Sequence, residues 1–193
     1  MLDKVTSIKY IIYTNIILFL IMMISKDIFD KDLLNYLVLY PFDNINFAPY
    51  QFISNIFLHA SLSHIFFNMF ALYSFGPDVE YTLGSRKFLL YYIIIGGVSS
   101  LIQLLIVPHP LIGASGSIFG IIIYSTILNP KLELSFFFLP IQLKLKTFTI
   151  VLVLYELYSA FFEVDNIGHW AHLGGALCAF IIYYIDKFYK IEI

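Results

Sequence analysis

Six long apolar segments run through this chain, and they restrict its fold more than any motif does. A bilayer core about 30 Å thick takes roughly 20 apolar residues per helix, somewhat fewer where a helix is short or recessed. The segments extend approximately from Val5 to Ser25, Phe57 to Phe75, Phe88 to Val107, Ser115 to Leu128, Thr147 to Val164 and Gly168 to Ile185. The sequence therefore predicts an all-α integral membrane protein, a single domain over residues 1–193 built as a six-transmembrane-helix bundle with a short, recessed fourth helix. A composition of 60% hydrophobic and 12% charged residues, with a mean hydropathy of +0.86, lies far outside the soluble range and agrees.

Lysine and arginine give the orientation, because short loops rich in them stay cytoplasmic. If six helices alternate, Lys4, Lys9, Arg86, Lys87, Lys131, Lys144, Lys146, Lys187 and Lys190 fall on one side, nine of the eleven basic residues, and only Lys26 and Lys31 fall on the other. Both termini are then expected in the cytoplasm. The run from Tyr10 to Ile24 ends at Ser25-Lys26-Asp27 without a small-residue cleavage site and reads as a retained helix, not a signal peptide. The longest connection, about residues 26–56, becomes an extracytoplasmic loop. Its apolar pieces around Leu33 to Leu39 and its acids Asp27, Asp30, Asp32 and Asp43 suit short interfacial helices.

The fourth segment is the exception. Ser115 to Leu128 is 14 residues and spans only about 21 Å at 1.5 Å per residue. The preceding stretch from Pro108 to Ala114 must therefore dip into the membrane as irregular backbone, which is tolerated only where protein buries it or it lines a wet cavity. A recessed pocket open to the outside is expected.

Several function classes fall away. Net charge is -2 with no basic run interleaved with aromatics, so no nucleic-acid partner is expected. The one cysteine, Cys178, excludes an internal disulfide and a multi-cysteine metal site and reads as a packing residue. Neither a phosphate-binding loop nor a dinucleotide fingerprint occurs, so no cofactor is expected.

Polar and ionisable groups inside membrane helices are costly and mark function by default. Helices two, four and six all descend from the outer side. Helix two carries His59, His64 and Asn68 near its start, helix four begins at Ser115, and helix six carries His169 and His172 in its first turns. Hydroxyl, imidazole and amide groups thus converge at one outer depth. Ser115 lies in Gly113-Ala114-Ser115-Gly116, where glycine permits close backbone approach and a helix N-terminus offers unpaired N–H groups. A serine N-cap suits the same position. Small residues at Ala171, Gly175 and Ala179 form a face on helix six, and Gly116 and Gly120 a matching face on helix four, a route for His172 to reach Ser115. His169, three residues earlier, is the rival base or a supporting group. His64 and Asn68, four apart, share a helical face and can both donate hydrogen bonds to an oxyanion, or form an interhelical clasp. Three imidazoles could hold zinc, but no His-Glu-x-x-His pair occurs. The sequence places no carboxylate near the cluster either, with Glu156 in the middle of helix five and Glu80 in a cytoplasmic loop; no metal is expected.

His59-x4-His64-x3-Asn68, Gly113-Ala114-Ser115-Gly116 and Ala171-His172-x2-Gly175, in this order and on these helices, resemble the rhomboid intramembrane serine proteases. The resemblance runs from about Phe57 to the C-terminus. It implies peptide-bond hydrolysis by a serine–histidine dyad, with Ser115 attacking, His172 accepting and returning the proton, and the Ser115 N–H, His64 and Asn68 stabilising the oxyanion. Gly113 would shape the adjoining backbone, with His59 and His169 in support. Implied partners are single-span transmembrane protein substrates, cut in or near the membrane, and the lipid bilayer itself, with a location in the plasma membrane and an active site opening to the extracytoplasmic side.

Two positions depart from the family pattern. Tyr50-Gln51 stands where many members carry a Trp-Arg pair, and Phe119 where tyrosine is frequent, although a phenyl ring there can still pack on the His172 imidazole. A non-catalytic rhomboid-like protein that binds membrane clients is the rival reading, opposed by the presence of both Ser115 and His172. A small transporter would also use polar groups in a wet cavity, but the chain has no internal repeat or matched pair of broken helices.

Overall fold

A computed structural model describes residues 6–28, 35–136 and 139–189. Six helices of 14 to 22 residues account for most of them: α1 (Ser7–Ile28), α2 (Leu62–Leu83), α3 (Ser85–Ile106), α4 (Ser115–Leu128), α5 (Leu145–Phe162) and α6 (His169–Tyr189). A one-turn helix (Gln51–Ser54) and a 3-10 turn (Asn55–Phe57) precede α2. The all-α bundle expected from the apolar segments is present, with helix ends within four residues of those read in the sequence except at α2, which starts five residues after Phe57 and runs eight beyond Phe75. By length and apolarity three helices can cross a membrane (in α1, α3 and α5), and the Gln51–Phe57 and Leu62–Leu83 pair forms a fourth candidate bent by 95°. α4 is short, and α6 carries histidines near its start and Asp186 and Lys187 near its end.

The bundle has an apolar core that includes Ile8, Leu72, Phe88, Ile95 and Ile121, but α5 turns apolar residues outward and polar ones inward. On α5, Val151, Leu154, Tyr158 and Phe161 are exposed at helical spacing, while Thr149, Glu156 and Ser159 are buried. That inversion suits a hydrocarbon solvent, where apolar side chains lose nothing by facing outward and polar ones need protein partners. α4 sits at the centre, packed by α2, α3, α5 and α6, with nine of its fourteen residues buried. Ser117 donates to the Tyr92 carbonyl (2.8 Å), and Thr126 pairs with Thr149 (2.7 Å), so its hydroxyls are used as interhelical ties.

Glu80, expected in a loop, is instead fully buried in the last turns of α2. Its carboxylate accepts from the backbone N–H groups of Thr6 (3.0 Å), Ser7 (2.7 Å) and Ile8 (3.2 Å), which are the unpaired donors at the start of α1. An acid at a helix N-terminus also meets the positive end of the helix dipole. Gly84 then separates α2 from α3 at φ 79°, a conformation that costs other residues a steric penalty. Lys87 pairs with Asp186 at the same end of the bundle, 14 residues and about 21 Å along α6 from His172.

Among the described residues, the long first loop ends in two short helical turns, Gln51–Ser54 and Asn55–Phe57. Gln51 organises the described part: buried completely, its side-chain oxygen accepts from Tyr40 and Ala48 N–H, and its amide donates to the Tyr36 and Asn46 carbonyls. Of the loop residues singled out in the sequence, Asp30, Lys31, Asp32, Leu33 and Leu34 lie outside the described residues, as do Lys4 and Lys190. The sequence reading has no counterpart to the antiparallel hairpin of β1 (Glu133–Phe136) and β2 (Leu139–Lys144) between α4 and α5, in which Glu133 is registered with Lys144.

Candidate active site

Irregular backbone leads into Ser115, as the shortness of the fourth segment requires, and its polar groups find protein partners. Leu111 forms an antiparallel bridge with Leu39 through two backbone bonds (2.8 and 3.1 Å), and the Gly113 N–H donates to the Asn55 carbonyl (2.9 Å). Gly113 has φ 132°, open only to glycine, and a Cβ added there would lie 2.9 Å from His64 Nε2 and 3.8 Å from Ser115 Oγ. His64, Gly113 and Ser115 therefore border one small space.

Ser115 is the first residue of α4, and Ala114 occupies the cap position without a side-chain cap. The N-cap alternative fails for that reason: the hydroxyl is directed elsewhere. Ser115 Oγ lies 2.8 Å from His172 Nε2. The small-residue faces make this approach possible. A methyl on Gly175 would collide with the Gly116 carbonyl, and one on Gly120 would come within 3.0 Å of the Gly175 carbonyl and 3.2 Å of Ala179. Phe119 lies parallel to the His172 imidazole, as its position one turn after the serine suggests. Gln103 of α3, unremarked in the sequence, accepts from the Ala171 N–H (3.1 Å) and holds the first turn of α6 in place.

The expectation that no carboxylate stands near the histidines is overturned. Glu156 Oε2 lies 2.8 Å from His172 Nδ1 and 2.6 Å from His169 Nδ1. Glu156 and His169 are each 5% exposed and His172 7%, so the three form a buried cluster. His169 Nε2 lies 3.3 Å from the Asp165 carboxylate, at the rim of the bundle. The same three residues present one ligand atom each within 4.8 Å of one another, the loose geometry of a metal site. Both Glu156 distances are hydrogen-bond lengths, however, whereas ligands on a shared tetrahedral zinc stand about 3.3 Å apart. The donor set fits a hydrogen-bonded chain better than a coordination shell.

On the other side of Ser115, the Ala60 N–H donates to His64 Nδ1 (3.4 Å), which leaves the ring proton on Nε2, the nitrogen beside Gly113. Asn68 Nδ2 donates to the His64 carbonyl (3.0 Å) and makes no second bond among the described residues. The His59 ring packs edge-on against His64 at 4.9 Å between centroids; it is buried, and its nitrogens have no protein partner among the described residues. His109 lies on the exposed segment before the dip.

The sequence pattern of the rhomboid domain matches residues 46–187, which includes every residue of this cluster. The chain belongs to the rhomboid family. It is 34% identical over 134 residues to "Rhomboid protease GluP" of Bacillus subtilis, covering 68% of this chain and 25% of that protein. It is 30% identical over 162 residues to "Rhomboid protease GlpG" of Haemophilus influenzae, covering 82% of this chain and 81% of that protein. "Rhomboid-like protein 11, chloroplastic" of Arabidopsis thaliana is 29% identical over 153 residues, 73% of this chain and 54% of that one. The match thus spans a quarter of the length of the first relative and four-fifths of the second. As a member of an intramembrane protease family with apolar, outward-facing helices, this rhomboid is an integral membrane protein.

Proposed function

We propose that this rhomboid is an intramembrane serine endopeptidase that hydrolyses peptide bonds in or near transmembrane segments of membrane proteins, with Ser115 as nucleophile and His172 as general base. The observation that carries the proposal is the 2.8 Å contact between Ser115 Oγ and His172 Nε2, the separation a base needs to take the hydroxyl proton. Ser115 Oγ forms the bond to the substrate carbonyl carbon while its proton passes to Nε2. The carbonyl oxygen takes up negative charge beside the Ser115 N–H at the start of α4, the Nε2–H of His64 and the free amide proton of Asn68. His172 then returns the proton to the departing amine nitrogen. An acyl-enzyme remains, and water activated by the same imidazole hydrolyses it.

The arrangement of the chain follows as part of the proposal. Residues 1–193 form one domain with six spans, α4 recessed and centred among the others. Both termini face the cytoplasm of a plasma-membrane protein, and the cleft opens extracytoplasmically toward single-span substrates.

Purified protein in liposomes with a transmembrane reporter, compared across Ser115→Ala, His172→Ala and His169→Ala, tests the assignment. Cleavage and fluorophosphonate labelling should both vanish in Ser115→Ala. Undiminished cleavage by Ser115→Ala refutes the mechanism, and an active His172→Ala beside an inactive His169→Ala moves the base to His169. A folded wild type that binds the reporter, neither cuts it nor takes the label, is a client-binding protein instead.

A further inference from the structure

The rhomboid reading needs only Ser115 and His172, yet Glu156 is buried directly behind the base, an acidic group on the inward face that Thr149 and Ser159 share on a helix with many exposed apolar residues. We propose that Glu156 is a positioning residue for His172, and that His169, anchored by Asp165, holds Glu156 in place. The proposal rests on the reading of Ser115 and His172 as nucleophile and base and deepens it from a pair to a four-member chain on α4, α5 and α6.

The chemistry of the donors gives the argument. Glu156 Oε2 meets two imidazole Nδ1 atoms, at 2.6 and 2.8 Å, and an ionised carboxylate only accepts. His172 must then carry its proton on Nδ1, which leaves the lone pair of Nε2 aimed at Ser115 Oγ, 2.8 Å away. That is the tautomer a general base requires, and which nitrogen bears the proton is set by the bond the other one makes. When Nε2 accepts the Ser115 proton, the imidazolium forms beside the carboxylate without either side chain moving. His169 faces carboxylates on both nitrogens, Glu156 on Nδ1 and Asp165 on Nε2, and can satisfy both only as a doubly protonated imidazolium. Its charge compensates the buried Glu156 carboxylate, which would otherwise bear the desolvation cost of an isolated ion. With both nitrogens occupied, His169 has no lone pair for Ser115, so it supports the base and does not replace it.

The test uses the full chain in detergent micelles with 15N-labelled histidine, so that the ring-nitrogen shifts report the tautomer, alongside kcat and KM on a transmembrane reporter. In the wild type, His172 should show a protonated Nδ1 and an unprotonated Nε2. Glu156→Leu removes the acceptor from both Nδ1 atoms and should release His172 from the Nδ1–H tautomer, with kcat lower by about 10²- to 10⁴-fold and KM within about threefold, whereas Glu156→Gln, whose amide oxygen can take the place of Oε2, should keep the tautomer and recover part of kcat. A wild-type His172 protonated on Nε2 overturns the proposal, and this readout does not depend on any variant folding. So does a folded Glu156→Leu that keeps both the wild-type tautomer and kcat within about threefold. Failure of the protease reading is separate: it appears as cleavage retained in Ser115→Ala, whatever the tautomer of His172.

Discussion

Phe119 lies flat against the His172 imidazole, with ring centroids 4.3 Å apart and planes within 4° of parallel. The stack fixes the plane of the ring while Glu156 and Ser115 fix its two nitrogens, so Phe119 limits the one rotation the hydrogen bonds leave soft. Aromatic pairs of this kind contribute about 0.5–1.5 kcal/mol beyond area burial. Phe119→Leu should therefore lower kcat roughly tenfold on a transmembrane reporter with little change in KM, and Phe119→Tyr should stay within about threefold of wild type. Equal kcat for Phe119→Leu would show that the ring only fills space.

The second prediction concerns the contact that brings α4 and α6 together. A methyl at Gly175 would meet backbone, the Gly116 carbonyl, and backbone cannot move aside as a flexible side chain does. Gly175→Ala should destabilise the fold by about 1–3 kcal/mol, the range for overpacking, and displace His172 from Ser115. A shift of about 1 Å at a reacting pair costs about 10²-fold in rate. Thermal unfolding and kcat should fall together; an unfolding temperature and kcat both equal to wild type would mean the helices separate without effect on the pair.

These two features differ in how far the sequence reveals them. Ser115, His172 and the spaced Gly116, Gly120, Gly175 and Ala179 stand out because small and polar residues are rare in apolar segments, and their four-residue period encodes a face. Glu156 does not, since its position beside His172 depends on how α5 is rotated against α6, which no residue on α5 alone determines. A signal existed: Thr149, Glu156 and Ser159 recur on one helical face opposite Val151, Leu154 and Tyr158, and all three are buried. Gln51 stands out in the sequence only as a departure from a Trp-Arg pair, and its organising role is not legible for another reason. Its four hydrogen bonds go to backbone groups of its own loop, and backbone partners leave no trace in residue identity. The hairpin of β1 and β2 is not legible in the sequence because a short segment bounded by Lys131 and Lys144 reads first as a charged loop.

Glu80 should matter for stability and not for chemistry. Three N–H groups at the start of α1 converge on its buried carboxylate, far along the bundle from Ser115. Hydrogen bonds to a charged acceptor are worth about 1.5–3 kcal/mol, and a partner left buried and unpaired loses its hydration as well. Glu80→Ala should lower stability by about 3 kcal/mol. Glu80→Gln should lower it less, because the amide oxygen still accepts while the NH2 faces a donor. Both should keep kcat within about threefold when assayed well below their unfolding temperature, and a selective loss of kcat in folded Glu80→Ala would contradict this division.

If Glu156, His169 and His172 form a hydrogen-bonded chain, a chelator should leave cleavage unchanged, and added zinc should inhibit only by competing for His172. Loss of activity on treatment with chelator, restored by zinc, would make the cluster a metal centre and require different chemistry at Ser115.

The last prediction separates oxyanion donors from helix ties on α2. His64 and Asn68 share one face, with the His64 Nε2 beside Gly113 and Asn68 bonded to the His64 carbonyl through only one of its amide protons. Removing one donor from an oxyanion site typically costs about 10²- to 10³-fold in kcat. His64→Ala and Asn68→Ala should each fall in kcat by that order. The Ser115–His172 pair stays assembled in both, so each should still be labelled at Ser115 by a fluorophosphonate, more slowly than wild type. Because the donors act on the same oxygen, the double variant should lose less than the product of the two single losses. A clasp between helices would behave in the opposite way, lowering the unfolding temperature of both variants while leaving kcat of the folded fraction close to wild type.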